Sequence, residues 1–426
     1  MIQLLCILIA FSPIDVAEYE LSNGLKVFIY EDHFAPVVST QIYYRVGSYN
    51  ELRGYTGISH FLEHMSFKST KNYKTKDYDR RIEEMGGEEN GFTSLHRTGY
   101  FANLHKDRYE FELEFEAERM TNLLVDPEEF ESEKGVVMEE RRLWHNDPHR
   151  YFFEQLDLVS YTNHPYRISI VGFMEDLERT TRDDVYDWYR TFYNPANAVI
   201  IIAGSIEADD ALRKVKKHFA GIPGKKVDEM VFTETPQEGE RRFELRRDVR
   251  TPVVGIQYHT VPAGSPEECA LDVIAMILTY GVSSRFETDL VRKQGLATEV
   301  RVYHNTSKYG GTFIVYAVPQ EGIEPVILEQ ALLKEMERLK SEPVTDSELQ
   351  KAKNQVLAQA VYGRDAPTRV GYMLGWWEIE GNGWQNINQY PVSVQEVTKD
   401  DIMNMAQKYF LKNNRTVGYL LPVEEQ

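Results

Sequence analysis

Pro36-Val37-Val38-Ser39-Thr40-Gln41-Ile42-Tyr43 returns further along the chain as Pro252-Val253-Val254-Gly255-Ile256-Gln257-Tyr258-His259. The match continues outward from there. Gly47-Ser48 lies opposite Gly264-Ser265, and Thr181-Arg182-Asp183-Asp184-Val185 lies opposite Thr398-Lys399-Asp400-Asp401-Ile402. Phe192 and Asn197 fall opposite Phe410 and Asn414 or Arg415, so the offset stays between 216 and 218 throughout. Chance matches do not keep one offset over such a length. A repeat this long is a whole domain, not a solenoid unit. The chain has 426 residues, more than one ordinary core organises. It therefore reads as a duplicated pair of domains.

Within the first copy the pattern is α+β. Residues 18–29 and 37–46 alternate apolar and polar side chains with β-branched and aromatic content, and Ser22-Asn23-Gly24 supplies a turn inside the first run. Helical periodicity follows over 57–67, 75–85, 106–124 and 128–144. A buried strand at 197–204 closes the copy. The stretch from Gly221 to Glu240 carries Gly, Pro and charge without periodicity and reads as a connection. The expected organisation is a leader at 1–16, a first domain at 17–221, a linker at 222–240 and a homologous second domain at 241–426. Each domain is expected to be an antiparallel-rich sheet packed with helices.

Composition narrows the function. Hydrophobic residues make up 42% and charged residues 27%, a globular profile. With 67 acidic against 48 basic residues the formal charge is -19, a field that repels nucleic acid and anionic lipid. Such a surface steers basic peptides inward, or simply keeps the protein in solution. Cys6 and Cys269 are the only cysteines, so neither a disulfide scaffold nor a cysteine-based zinc site is available. Any metal must be held by His, Asp or Glu. The first dozen residues, Met1 to Ser12, are apolar but fall short of the ~20 needed to span a bilayer. They read as the apolar part of an export signal without a basic residue ahead of it, or as a stray strand. No integral membrane span is expected.

Chemistry concentrates in Gly57-Ile58-Ser59-His60-Phe61-Leu62-Glu63-His64-Met65-Ser66-Phe67. On a helix, His60 and His64 project from one face, and Glu63 lies beside them. Two imidazoles and one further carboxylate suit zinc and leave a position open for water. Glu63 is then placed as general base. Among sequences with 11 histidines an H-x-x-E-H string arises by composition in about two of every hundred, so the motif is informative without being decisive. The third ligand is sought in Glu133-Lys134-Gly135-Val136-Val137-Met138-Glu139-Glu140-Arg141-Arg142-Leu143-Trp144. Glu140 has Val136, Val137, Leu143 and Trp144 as helical neighbours, which predicts that it faces inward, where a carboxylate needs a cation. Glu139 has a mixed set and suits a solvated face. Glu133, seven residues before Glu140, shares its stripe and is expected to orient a ligand from behind. His145 and His149 are also four apart, but Pro148 disfavours a continuous helix there, so a second metal site is not expected.

These motifs resemble the pitrilysin and mitochondrial-processing-peptidase family, over almost the whole chain from about Ala17 onward. Val46-Gly47-Ser48, Asn90-Gly91-Phe92-Thr93 and Tyr193-Asn194-Pro195-Ala196-Asn197 match that family in type and order, and Val137-Met138-Glu139-Glu140-Arg141-Arg142 is similar to its half-length bacterial zinc peptidases. The resemblance implies a processing-peptidase-like fold and one Zn2+ per chain on His60, His64 and Glu140. It also implies Glu63 as base, Glu133 in support, and endopeptidase action on unfolded peptides or oligopeptides. It further implies an edge strand around Asn90 that contacts substrate backbone, where any strand residue would serve. Four domains enclose the substrate in that family, so this chain is expected to be half of a dimer. One departure bears on the partner. The family carries an Arg and a Tyr seven residues apart around a Gly-Leu-Ala turn, here Gly295-Leu296-Ala297, but the corresponding positions hold Val291 and Thr298, with Arg292 one residue off register. A heterodimer with a metal-free homologous subunit supplying that pair is expected, a homodimer being the alternative. The bacterial periplasm or another exported location is expected, with the cytoplasm as alternative. The competing functional readings are a non-catalytic structural subunit of the same fold and a peptide-binding module with a purely structural zinc.

Overall fold

The structure, a computed structural model, describes residues 13–423; most of the expected leader, residues 1–12 including Cys6, lies outside them. The first half builds β1 (Ala17–Glu20), β2 (Lys26–Glu31), β3 (Val37–Tyr44), α1 (Ile58–Met65), α2 (Asp77–Glu84), β4 (Glu88–Thr93) and β5 (Thr98–His105). It continues with α3 (Glu110–Asn122), α4 (Pro127–Asn146), α5 (Pro148–Ser160), α6 (Met174–Arg179), α7 (Arg182–Phe192), β6 (Ala198–Gly204) and α8 (Ala208–Phe219). The second half builds β7 (Arg241–Arg247), β8 (Val253–Thr260), α9 (Glu268–Thr279), β9 (Ala297–Ser307) and β10 (Gly310–Pro319). Then follow α10 (Pro325–Ser341), α11 (Asp346–Tyr362), α12 (Pro367–Ile379), α13 (Asn386–Glu396), α14 (Lys399–Tyr409) and β11 (Arg415–Pro422). Residues 221–240, where a connection was expected, carry neither helix nor strand.

The expected α+β duplication is visible in strand order. One sheet runs β1-β2-β6-β3-β5-β4 and the other β7-β11-β8-β10-β9. The five strands from β2 to β4 in the first order repeat the second, and the one parallel pair falls at the same place in each, β2 with β6 and β7 with β11. The sequence repeat also recurs as one local device. Thr181 and Thr398 each accept a hydrogen bond from the backbone N–H three residues on, while Asp184 and Asp401 bond back, giving α7 and α14 identical capping boxes.

Strand β6, Ala-Val-Ile-Ile-Ile-Ala-Gly, is buried at every residue because sheet strands flank it on both sides and helices cover it. The hairpin of β1 and β2 pairs Glu20 with Lys26 around Gly24, whose φ of +84° suits glycine. At the far side β4 pairs with β5 alone, which leaves β4 as an edge.

The chain divides into two compact units that interleave along the sequence. Among the described residues one comprises 13–143, 168–232 and 363–379, the other 144–167, 233–362 and 380–423. Helix α12, from late in the chain, packs on β3 and β6 of the first unit. Two glycines permit that approach: a Cβ on Gly375 would lie 2.5 Å from the Tyr43 ring, and one on Gly371 would run into the Gln41 amide. In the other direction α5, from the first half, packs on β7, β8 and β11 and places Phe152 and Leu156 in the core of the second unit. Periodicity along a sequence carries no record of such an exchange. No helix among the described residues is long and apolar enough to cross a membrane.

Candidate metal centre

Helix α1 is short, and its placement depends on groups at both ends. Gly57 enters it with φ +85°, and a Cβ there would meet the Val171 carbonyl oxygen at 2.9 Å, so glycine is required. No N-cap side chain serves the first turn. Instead Glu51, 3% exposed, reaches in from upstream: its two oxygens accept from the N–H groups of Gly57 (2.7 Å) and Ser59 (2.8 Å). Asp176 fastens the preceding loop by accepting from Gly54, Thr56 N–H and the Thr56 hydroxyl. Sequence reasoning missed Glu51, because its spacing from the helix is longer than any capping motif. Replacing it with Ala leaves two N–H groups at the head of α1 without acceptors. The expected loss is about 1–2 kcal/mol of stability, read in chemical denaturation, with zinc affinity falling alongside.

The structure brings three of the sequence's candidates to one point. Imidazole nitrogens of His60 and His64 and a carboxylate oxygen of Glu140 lie within 4.8 Å of one another, the only such group among the described residues. Glu140 Oε2 is 3.5 Å from His60 Nε2 and 3.3 Å from His64 Nε2. Those spacings are long for hydrogen bonds. They match the edge of a tetrahedron around zinc, about 3.3 Å for ligand bonds near 2.05 Å. The donor set, two imidazoles and a carboxylate with one oxygen shared between both rings, fits zinc.

Glu133 Oε1 stands 2.8 Å from His64 Nδ1, and its other oxygen is 2.6 Å from the ammonium of Lys68. Lys68 was not anticipated. Glu63 accepts a hydrogen bond from the Thr93 hydroxyl on β4 at 2.7 Å, a second contact that sequence spacing does not show.

The reason given for Glu140 needs correction. It sits at the margin of the buried stripe of α4, which consists of Phe130, Glu133, Val137 and Arg141. Its side chain is 42% exposed, and Val136 and Leu143, expected to enclose it, are 50% and 61% exposed. The carboxylate reaches the imidazoles from a solvent-facing edge, as an accessible site requires.

Electrostatics divide the two histidines. Burial, helped by neighbouring His64 and opposed by Glu140, holds His60 down at about 4. Burial also opposes a charge on His64, but the hydrogen bond to Glu133 and the nearby Glu140 and Glu63 carboxylates outweigh it and raise the imidazole to about 9. Glu133 lies below the ordinary carboxylate range, since contacts with His64 and Lys68 overcome its burial. Burial lifts Glu63, against the Thr93 hydrogen bond and nearby His64. A cation held at this point takes the place of the positive charge that His64 otherwise carries.

Asn90 lies on the edge strand β4, exposed, with its Oδ1 accepting the Gly91 N–H at 2.8 Å. By strand alternation its side chain points away from the face that carries Thr93. His145 and His149 are separated as Pro148 predicts: α4 ends at Asn146, and Asp147 caps α5. In the second unit Val291 and Arg292 fall in a π-helix, Glu287–Lys293, where each turn takes in an extra residue. Arg292 is exposed and pairs with Glu287 at 2.9 Å, while the Thr298 hydroxyl donates to the Val318 carbonyl at 3.3 Å.

Two family models match the chain: Insulinase (Peptidase family M16) over residues 26–172, and Peptidase M16 inactive domain over residues 179–356. Zinc protease PqqE of Helicobacter pylori is 29% identical over 411 residues, covering 94% of this chain and 92% of that protein. Mitochondrial-processing peptidase subunit beta of Lentinula edodes is 24% identical, covering 91% and 86%. A crystal structure of a protease from Helicobacter pylori superposes with a TM-score of 0.92 at 28% identity, covering 96% of this chain and all of that one.

Proposed function

That the chain belongs to peptidase family M16, with both of the family's domains, is the premise from which we propose a zinc-dependent endopeptidase acting on unfolded peptides or oligopeptides. His60, His64 and Glu140 hold the one zinc of the chain, and Glu133 fixes the His64 ring from behind. Bound there, zinc supplies Lewis acidity towards a water and the scissile carbonyl. Glu63 takes a proton from the attacking water and delivers it to the leaving amine. The unpaired edge of β4, beside Thr93, offers backbone groups for an extended substrate to join. A homologous metal-free subunit completes the enzyme by supplying the Arg and Tyr that positions 291 and 298 lack.

The observation that carries this reading is the shared oxygen of Glu140 at 3.5 and 3.3 Å from two imidazole nitrogens. Elemental analysis of purified protein tests it. About one zinc per chain is expected, lost on treatment with a strong chelator and restored by zinc, with cleavage of a denatured protein following the metal. Protein that takes up no zinc under any loading condition refutes the proposal. For the partner, full cleavage by the chain alone counts against the heterodimer without touching the metal assignment.

A further inference from the structure

We propose that Lys68 is a positioning residue of the metal centre, locking the Glu133 carboxylate so that His64 keeps a single ring orientation; this rests on the zinc reading above. Lys68 lies three residues beyond the end of α1, and its Nζ is 2.6 Å from Glu133 Oε2. Glu133 Oε1 is 2.8 Å from His64 Nδ1. His64, in the last turn of α1, and Lys68, just beyond its end, therefore bracket one carboxylate, each taking one oxygen. The site is largely enclosed, with the Glu133 side chain 10% exposed and that of Lys68 23%.

The consequence follows from what the carboxylate does when one partner is lost. With both oxygens engaged, Glu133 cannot rotate without breaking a contact at one end or the other. Remove the ammonium and one nearly buried oxygen lacks its donor, which favours a swing towards water. The His64 ring then loses the fixed acceptor behind it. Partners that hold a metal-binding imidazole from behind typically set affinity by about 10–100-fold.

A second effect has the opposite sign. A cation near a dication repels it, so charge alone predicts tighter zinc binding once Lys68 is gone. Lys68 stands against a carboxylate, however, and the two charges cancel at a distance, leaving orientation to decide. The two effects thus predict different signs for one measurement.

Zinc affinity is measured by competition with a chromophoric chelator, without substrate. In Lys68→Met zinc is expected to bind about tenfold more weakly, and in Lys68→Arg, which restores a cationic donor, within about threefold of wild type. The metal-free Met variant is expected to lose some unfolding stability with the contact and the Arg variant little, so the readout specific to positioning is the zinc affinity of protein shown to be folded. Should the Met variant fail to fold, Lys68→Gln carries the same comparison. Zinc bound as tightly as in wild type, or tighter, overturns the inference and leaves the proposed function standing, as does equal weakening in the Met and Arg variants. Wild type that binds no zinc overturns both.

Discussion

In Glu63→Gln, peptide cleavage is expected to fall by about three orders of magnitude while zinc content stays at the wild-type level. The separation of those two readouts follows from the geometry. The three atoms that converge belong to His60, His64 and Glu140, and Glu63 is not among them. Its carboxylate is bound instead to the Thr93 hydroxyl at 2.7 Å, a contact that a Gln carbonyl oxygen accepts equally well. The substitution is therefore nearly isosteric: it keeps the helix, the His60, His64 and Glu140 cluster and the strand contact, and removes only the capacity to take a proton. General acid–base catalysis contributes about 10²–10⁴-fold, which sets the expected size. Burial already lifts Glu63 above the ordinary carboxylate range, bringing it nearer the pH at which a base both accepts and releases protons efficiently. Cleavage by the variant within about tenfold of wild type, at equal zinc, removes Glu63 from the proton transfer.

What the sequence disclosed, and what it did not, divides along the range of the interactions. The duplication and the helical motif were readable because both are local: an offset near 217 and an i, i+3, i+4 spacing are properties of the string. The capping boxes at Thr181 and Thr398 belong to the same class. The role of Glu51 was not readable, because a side chain several residues upstream takes over a cap through a loop whose path depends on Asp176. Glu140 comes to the two imidazoles, but not for the reason its neighbours suggested. Apolar neighbours at 136 and 143 suggested a buried face, yet an accessible centre leaves those side chains in the open. The exchange of α5 and α12 between the halves of the chain was likewise invisible, since only tertiary contact decides which sheet a helix covers.

Helix α3 carries a polar stripe that lies inside the core. Glu112, Glu116 and Arg119 recur at helical spacing, as on a solvated face, but all three are buried to within 1%. Arg119 Nη1 pairs with Glu116 at 2.6 Å, and its Nε donates to the Ser66 carbonyl, at the C-terminal end of α1, at 3.0 Å. Its guanidinium lies 4.2 Å from the Tyr100 ring centre and 4.8 to 5.2 Å from those of Phe115, Phe67 and Tyr78. Helix α1 is thus held by a buried acid at its head and a buried base at its tail. In Arg119→Met the thioether keeps contact with the rings, so the change removes the charge together with the hydrogen bond to the Ser66 carbonyl. Glu116 and Glu112 are left without a cation, and breaking such a buried pair costs about 3–5 kcal/mol.

The pH dependence gives that expectation a sign. Burial raises both carboxyls, and the Arg119 charge pulls them back down. Arg119 therefore stabilises the folded protein only to the extent that Glu116 is ionised, which favours high pH. Lowering the pH protonates the acid and removes the reason for the cation. The gap between wild type and Arg119→Met in denaturant unfolding should accordingly be widest near pH 8 and narrow towards pH 5. Adding Glu116→Gln to Arg119→Met should recover part of the loss, because an amide needs no counter-charge. A single variant within about 1 kcal/mol of wild type at pH 8 would mean that the aromatic cage, and not the ion pair, holds the tail of α1.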